Sequence, residues 1–131
     1  MNLEQRLIQY VYDILDGDIL ACEKHKWACQ RFLNDLERTQ EDDCWFYFDI
    51  DQLYDFYEWS KQFKHFKGVI AGQPIKLTDL QLFIAANIFC FLNKETDKRR
   101  FLRVFIELAR KNAKSLFLAL IGSYITYLSE Q

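Results

Sequence analysis

The chain is almost free of residues that interrupt a helix. Four glycines and one proline punctuate 131 residues, too few for the turns of a loop-rich all-β fold. Apolar residues recur instead at helical spacing. Leu3, Leu7, Val11 and Leu15, widened by Ile8 and Ile14, predict a first helix that Gly17 ends. A second helix is expected from about Ile19 to Arg38, with Cys22, Cys29, Phe32, Leu33 and Leu36 inward and Trp27 at the edge of that face. Trp45 to Phe48 reads as a short strand or as an aromatic loop laid over the helices. Asp49 or Asp51 can cap a third helix, whose buried or half-buried face is Leu53, Phe56, Tyr57, Ser60 and Phe63, with Phe66 a further candidate. Gly68 to Pro74 is the clearest boundary, because Pro74 pushes Gln73 toward an extended backbone. Thr78 is a good cap for a fourth helix, Asp79 to Phe91. Phe101 to Leu108 fits a central strand, and it equally fits the start of one long helix.

Half of the residues are hydrophobic and 17% are aromatic, so a core can form without disulfides or metal. The net charge of −2 does not fit a general nucleic-acid-binding module. The charges are uneven all the same. Glu37 to Asp55 is acidic and Lys94 to Lys114 is basic, so a local basic surface is compatible with the overall sign. Lys98, Arg99, Arg100 and Arg103 can face DNA or a neighbouring subunit, or neutralise the acidic surface around Asp42 and Asp51. Cys22, Cys29, Cys44 and Cys90 form no C-x-x-C pair. Cys22, His25 and Cys29 share a helical face with ligand chemistry that suits zinc, but no fourth ligand is near, and packed cysteines are the simpler account. Asp13, Asp16 and Asp18 interrupt the early apolar positions, against a signal peptide. No run has the length of a membrane span. An intracellular, reduced protein is expected.

The run Arg110-Lys111-Asn112-Ala113-Lys114-Ser115 lies between two apolar stretches. Strand, lysine–serine turn, helix is the context of a phosphate-binding P-loop. Backbone N–H groups and a helix start can hold a phosphate oxyanion there. Lys114 would reach the outer phosphates and the Ser115 hydroxyl would ligate magnesium. The common pattern is G-x-x-x-x-G-K-[ST]. Here Leu108 and Ala113 stand at the two glycine positions, and the Ala113 methyl disfavours a positive φ.

Three stretches in order resemble one family. Gly72-Gln73-Pro74-Ile75-Lys76-Leu77-Thr78-Asp79-Leu80-Gln81-Leu82-Phe83 is followed by Arg99-Arg100-Phe101-Leu102-Arg103-Val104-Phe105-Ile106-Glu107-Leu108 and then by Ala109 to Ser115. Together with the upstream run Ala21 to Arg38, they look like the beginning of a tailed-bacteriophage terminase large subunit. The resemblance touches most of the chain. It implies a mainly α fragment: a helical leader at 1–67, then at 68–131 the opening strand, P-loop and helix of a RecA-like α/β ATPase domain, or that segment refolded as helix. It implies a parent protein that is an ATPase and endonuclease, coupling ATP hydrolysis to packaging and cleavage of double-stranded viral DNA. ATP and Mg2+ would be its cofactors. Gln81 would read the adenine edge, and its carboxamide can both donate and accept. Arg110, Lys111, Asn112, Ala113, Lys114 and Ser115 would cradle the phosphates, with Ser115 on the metal. Double-stranded DNA, a portal protein and a small terminase subunit would be partners of the complete protein, in the cytoplasm of an infected or lysogenic bacterial host.

The departures carry weight. No apolar strand ending in an acidic pair follows the loop before Gln131, and such a pair would hold magnesium and prepare water for attack. The polypeptide therefore reads as an N-terminal fragment or truncated product, inactive alone in hydrolysis, translocation and cleavage. Leu116, Phe117, Leu120, Ile121, Tyr124 and Ile125 would then be free to bury against another copy. The reading from a different class is a non-catalytic helical interaction protein derived from a terminase.

Overall fold

The computed structural model describes residues 2–63, 76–104 and 114–129. Asn2 starts the first helix, α1 (Leu3–Asp16), through a capping box. Its side chain accepts from the Gln5 N–H at 2.8 Å and the Gln5 side chain accepts from its own N–H at 3.0 Å. Gly17 ends α1 at φ 87°, a left-handed position where glycine carries no Cβ penalty. The next helix, α2 (Glu23–Arg38), starts later than the sequence periodicity predicts. Ile19 to Ala21 lie outside it and Leu20 is fully exposed. Cys22 sits at the N-cap rather than on the inner face and is exposed; Cys29 and Phe32 hold that face, and Trp27 points to solvent.

Phe46–Phe48 is a strand, β1, that pairs antiparallel with β2 (Phe91–Asn93), Phe48 opposite Phe91 and Phe46 opposite Asn93. Between them run α3 (Asp51–Ser60) and α4 (Asp79–Phe89). Ile50 occupies the cap position of α3, so neither expected aspartate caps it; Asp51 is its first residue, and Asp49 accepts the Asp51 N–H at 3.1 Å in a turn ahead of the helix. Thr78 caps α4 as expected, and Gln81 completes its capping box. The expected run of α4 to Phe91 is two residues too long. The helix closes at Cys90, and Phe91 and Leu92 pass into β2. After β2 the chain turns at Lys94 to Thr96 and comes back, so that Arg99 bridges Leu92. The last described element is α5 (Lys114–Ser129). The described residues are thus mainly helical, five helices and one two-stranded sheet.

Two aromatic clusters organise the core. Phe32 meets Phe48, Phe83 and Phe91 edge-on at 5.9, 5.5 and 5.7 Å, joining α2, α4 and the β-ribbon. Phe56 meets Phe89 at 5.1 Å and Tyr124 at 5.2 Å, seating α5 on α3 and α4. Edge and tilted geometries of this kind add about 0.5–1.5 kcal/mol per pair beyond area burial. α4 packs against both α1 and α3, so the core draws from both sides of residue 68. The α5 face expected to await another copy is used inside the chain: Phe117, Leu120, Ile121 and Tyr124 are buried, while Leu118, Tyr127 and Leu128 stay exposed.

Candidate functional site

The candidate phosphate-binding residues divide at the start of α5. Lys114 and Ser115 are its first two residues. Arg110, Lys111, Asn112 and Ala113 lie outside the described residues, as does the second half of the stretch expected to be strand. Phe101 to Val104, its described beginning, has no regular secondary structure. The first turns of α1, α2, α3 and α4 carry Glu4, Glu23, Asp51 and Asp79. The first turn of α5 carries no acid.

Gln81 is half-buried and already employed. Its backbone N–H donates to Thr78 Oγ1 at 3.2 Å, and its side-chain oxygen accepts from the Thr78 N–H at 3.0 Å. Pairing with an adenine edge by both donation and acceptance would have to use the second lone pair of that oxygen. Donation from the amide nitrogen alone would not. Arg6 crosses from α1 to the same corner, 2.7 Å from Asp79.

Arg100 is a residue the sequence pattern did not single out from its basic neighbours. Its guanidinium donates to Asp35 on α2 at 2.8 Å, and both side chains are largely buried, 14% and 7% exposed. The same group lies 4.0 Å from the Phe46 ring centre and 4.7 Å from that of Phe101. The expected neutralisation of Asp42 and Asp51 is not what this arginine does. A planar, always-charged cation suits an ion pair held between rings better than a lysine would. No sequence signal separated it: Asp35 and Arg100 are 65 residues apart.

A half-open groove of about 660 Å3 lies between α2, α4 and Phe101 to Val104. Ala28, Leu80, Phe83, Ile84, Ile88 and Val104 form its apolar lining; Lys24, Arg31 and Arg103 stand around it. His25 lines it too, its Nε2 2.9 Å from the Tyr10 hydroxyl. Burial raises the Tyr10 pKa to about 12, helped by nearby Cys29 and Asp79, and burial lowers that of His25. The tyrosine therefore stays protonated and the imidazole neutral, and which of the two donates is set by the imidazole tautomer. This bond and the burial of Cys29 engage two of the three residues of the Cys22–His25–Cys29 set, while Cys22 stands exposed at the N-cap. Among the described residues no group of three or more His, Cys, Asp or Glu side chains could hold a metal ion. No described helix is long and apolar enough to cross a membrane.

No family model matches the chain, and neither a curated protein nor a solved structure is significantly similar to it.

Proposed function

We propose that this chain is the N-terminal part of a phage terminase large subunit, and that it binds ATP with Mg2+ at the start of α5. In this reading Lys114 neutralises the β- and γ-phosphates, Ser115 ligates magnesium, and Arg110 to Ala113 form the loop ahead of them. Gln81 donates to the base from its amide nitrogen while its oxygen keeps the Thr78 cap. The complete protein would couple ATP hydrolysis to packaging and cleavage of double-stranded DNA through a RecA-like ATPase domain. A portal protein and a small terminase subunit would be its partners, and the cytoplasm of the infected or lysogenic host its setting.

The observation that carries the reading is the order of the resembling stretches, which end in a lysine–serine pair at the first described residues of α5. The lack of an acid among the first described residues of that helix supports it. The second reading, a non-catalytic helical interaction protein derived from a terminase, draws on the groove between α2 and α4.

Titration of the chain with Mg-ATP by calorimetry, beside Lys114→Ala, separates them. Saturable binding that the variant loses by about 30-fold or more, roughly 2 kcal/mol, is the expected result for removal of one charge-assisted phosphate contact. Equal affinity in the two proteins would remove the nucleotide-site assignment.

A further inference from the structure

We propose that the groove between α2 and α4 docks an acidic amphipathic helix from another protein. Two helical stripes face into it. On α2 these are Lys24, His25, Ala28 and Arg31, and on α4 Leu80, Phe83, Ile84, Asn87 and Ile88. Both follow the spacing of one helix face. The space between is an apolar trough of the kind that receives the apolar face of a third helix.

Charge selects the occupant. Lys24, Arg31 and Arg103 surround the trough, and no carboxylate of the described residues lines it. Among the described residues none of these three cations has an ion-pair partner, in contrast to Arg6, Arg38, Lys61 and Arg100. A helix with an aliphatic stripe flanked by glutamates would fill the trough and meet all three charges. Complementarity of this kind sets partner choice and association rate.

A nucleic acid strand fits less well, because it needs open aromatic faces for its bases. Phe83 is 3% exposed and its ring already meets Tyr10, His25 and Phe32. Phe101 has Arg31 and Arg100 over it. A second copy fits poorly too: α5 exposes Leu118 and Leu128 but carries no carboxylate from Lys114 to Ser129.

The test uses the full chain and a labelled peptide of about 18 residues, long enough to be helical in water. It bears a leucine stripe flanked by glutamates, and its counterpart bears lysines in their place. Fluorescence anisotropy should give saturable binding of the glutamate peptide only. Arg31→Glu with Arg103→Glu should weaken it by about ten-fold or more, with the circular dichroism spectrum unchanged. Val104 is 49% exposed, so Val104→Asp should weaken binding through the apolar lining without entering the core. Equal binding of both peptides, or affinity retained in the charge reversals and in Val104→Asp, would overturn the proposal. So would a preference for a single-stranded oligonucleotide, or self-association in sedimentation that the charge reversals abolish, which would assign the groove to a second copy.

Discussion

The Arg100–Asp35 pair predicts an asymmetry that a surface ion pair would not produce. Asp35→Ala leaves a guanidinium with 14% exposure and no acceptor. The rings of Phe46 and Phe101 remain against it, but rings are weaker partners than a carboxylate. Breaking one side of a buried pair costs about 3–5 kcal/mol, and the retained ring contacts argue for the lower end, about 3 kcal/mol. Arg100→Met leaves Asp35 with Arg38, whose guanidinium is 3.8 Å away, and keeps an apolar stem between the rings. Its cost should be smaller, about 2 kcal/mol. The double variant leaves neither charge stranded, so its cost should fall short of the sum by about 1.5 kcal/mol or more. Urea unfolding followed by circular dichroism reads all three. With a slope of about 2 kcal/mol/M, Asp35→Ala should move the midpoint down by about 1.5 M. Additivity within about 0.5 kcal/mol, or an Arg100→Met cost above that of Asp35→Ala, would refute the account of a buried pair clasped by rings.

Two further outcomes follow from burial. Cys22 is exposed, whereas Cys29, Cys44 and Cys90 are buried, and burial raises the Cys29 and Cys90 thiols to about 11 and about 12. A disulfide reagent at neutral pH should therefore titrate one thiol quickly in the native protein and all four only in denaturant; four equivalent thiols would contradict the packing. Burial also lowers the His25 pKa below its ordinary 6.5, so below about pH 6.5 the unfolded chain binds a proton that the folded chain does not. Stability contributed by the neutral ring is present above that pH and is lost as the pH falls toward the folded value. The urea midpoint should drop more between pH 7.5 and 5.5 in the wild type than in His25→Gln, and equal drops would show that His25 is not the group responsible.

Local rules carried part of the fold and distant partners decided the rest. Thr78 and Gln81 are three residues apart, and Gly17 follows a regular apolar stripe, so both helix limits could be read from their neighbours alone. The end of α4 could not. Phe89 to Leu92 is one apolar run, and periodicity does not distinguish a buried helix from a buried strand in so short a stretch. Pairing with Phe46 to Phe48, more than forty residues earlier in the chain, draws Phe91 and Leu92 into β2. The basic cluster before the lysine–serine motif was legible as charge, but not as chemistry. Arg100 differs from Arg99 and Arg103 only because the fold brings Asp35 and the Phe46 ring to it. The α5 stripe was legible as buried, and its partner was misjudged. Phe56 and Trp59 of α3 sit 5.2 and 5.1 Å from Tyr124, so this chain supplies the cover that another copy was expected to provide.

These contacts also bear on how a phosphate site at Lys114 would be supported. Arg100 fixes the chain on one side of the motif by its pair with Asp35 and the rings around it. On the other side Phe117, 1% exposed, fixes α5 against the core. Both anchors are assembled from the chain's own helices and β-ribbon, so neither requires a nucleotide to form. A binding loop held at both ends loses less conformational entropy when it closes on its ligand. Lys114 and the anchors should therefore act in different ways. Lys114→Ala removes a direct contact and should weaken Mg-ATP while leaving the urea midpoint nearly unchanged. Arg100→Met acts on the scaffold and should lower the midpoint first, weakening Mg-ATP only as far as the loop's support loosens. A Lys114→Ala protein that lost stability and affinity together would make the lysine part of the scaffold, and the phosphate-contact argument would fail at its first residue.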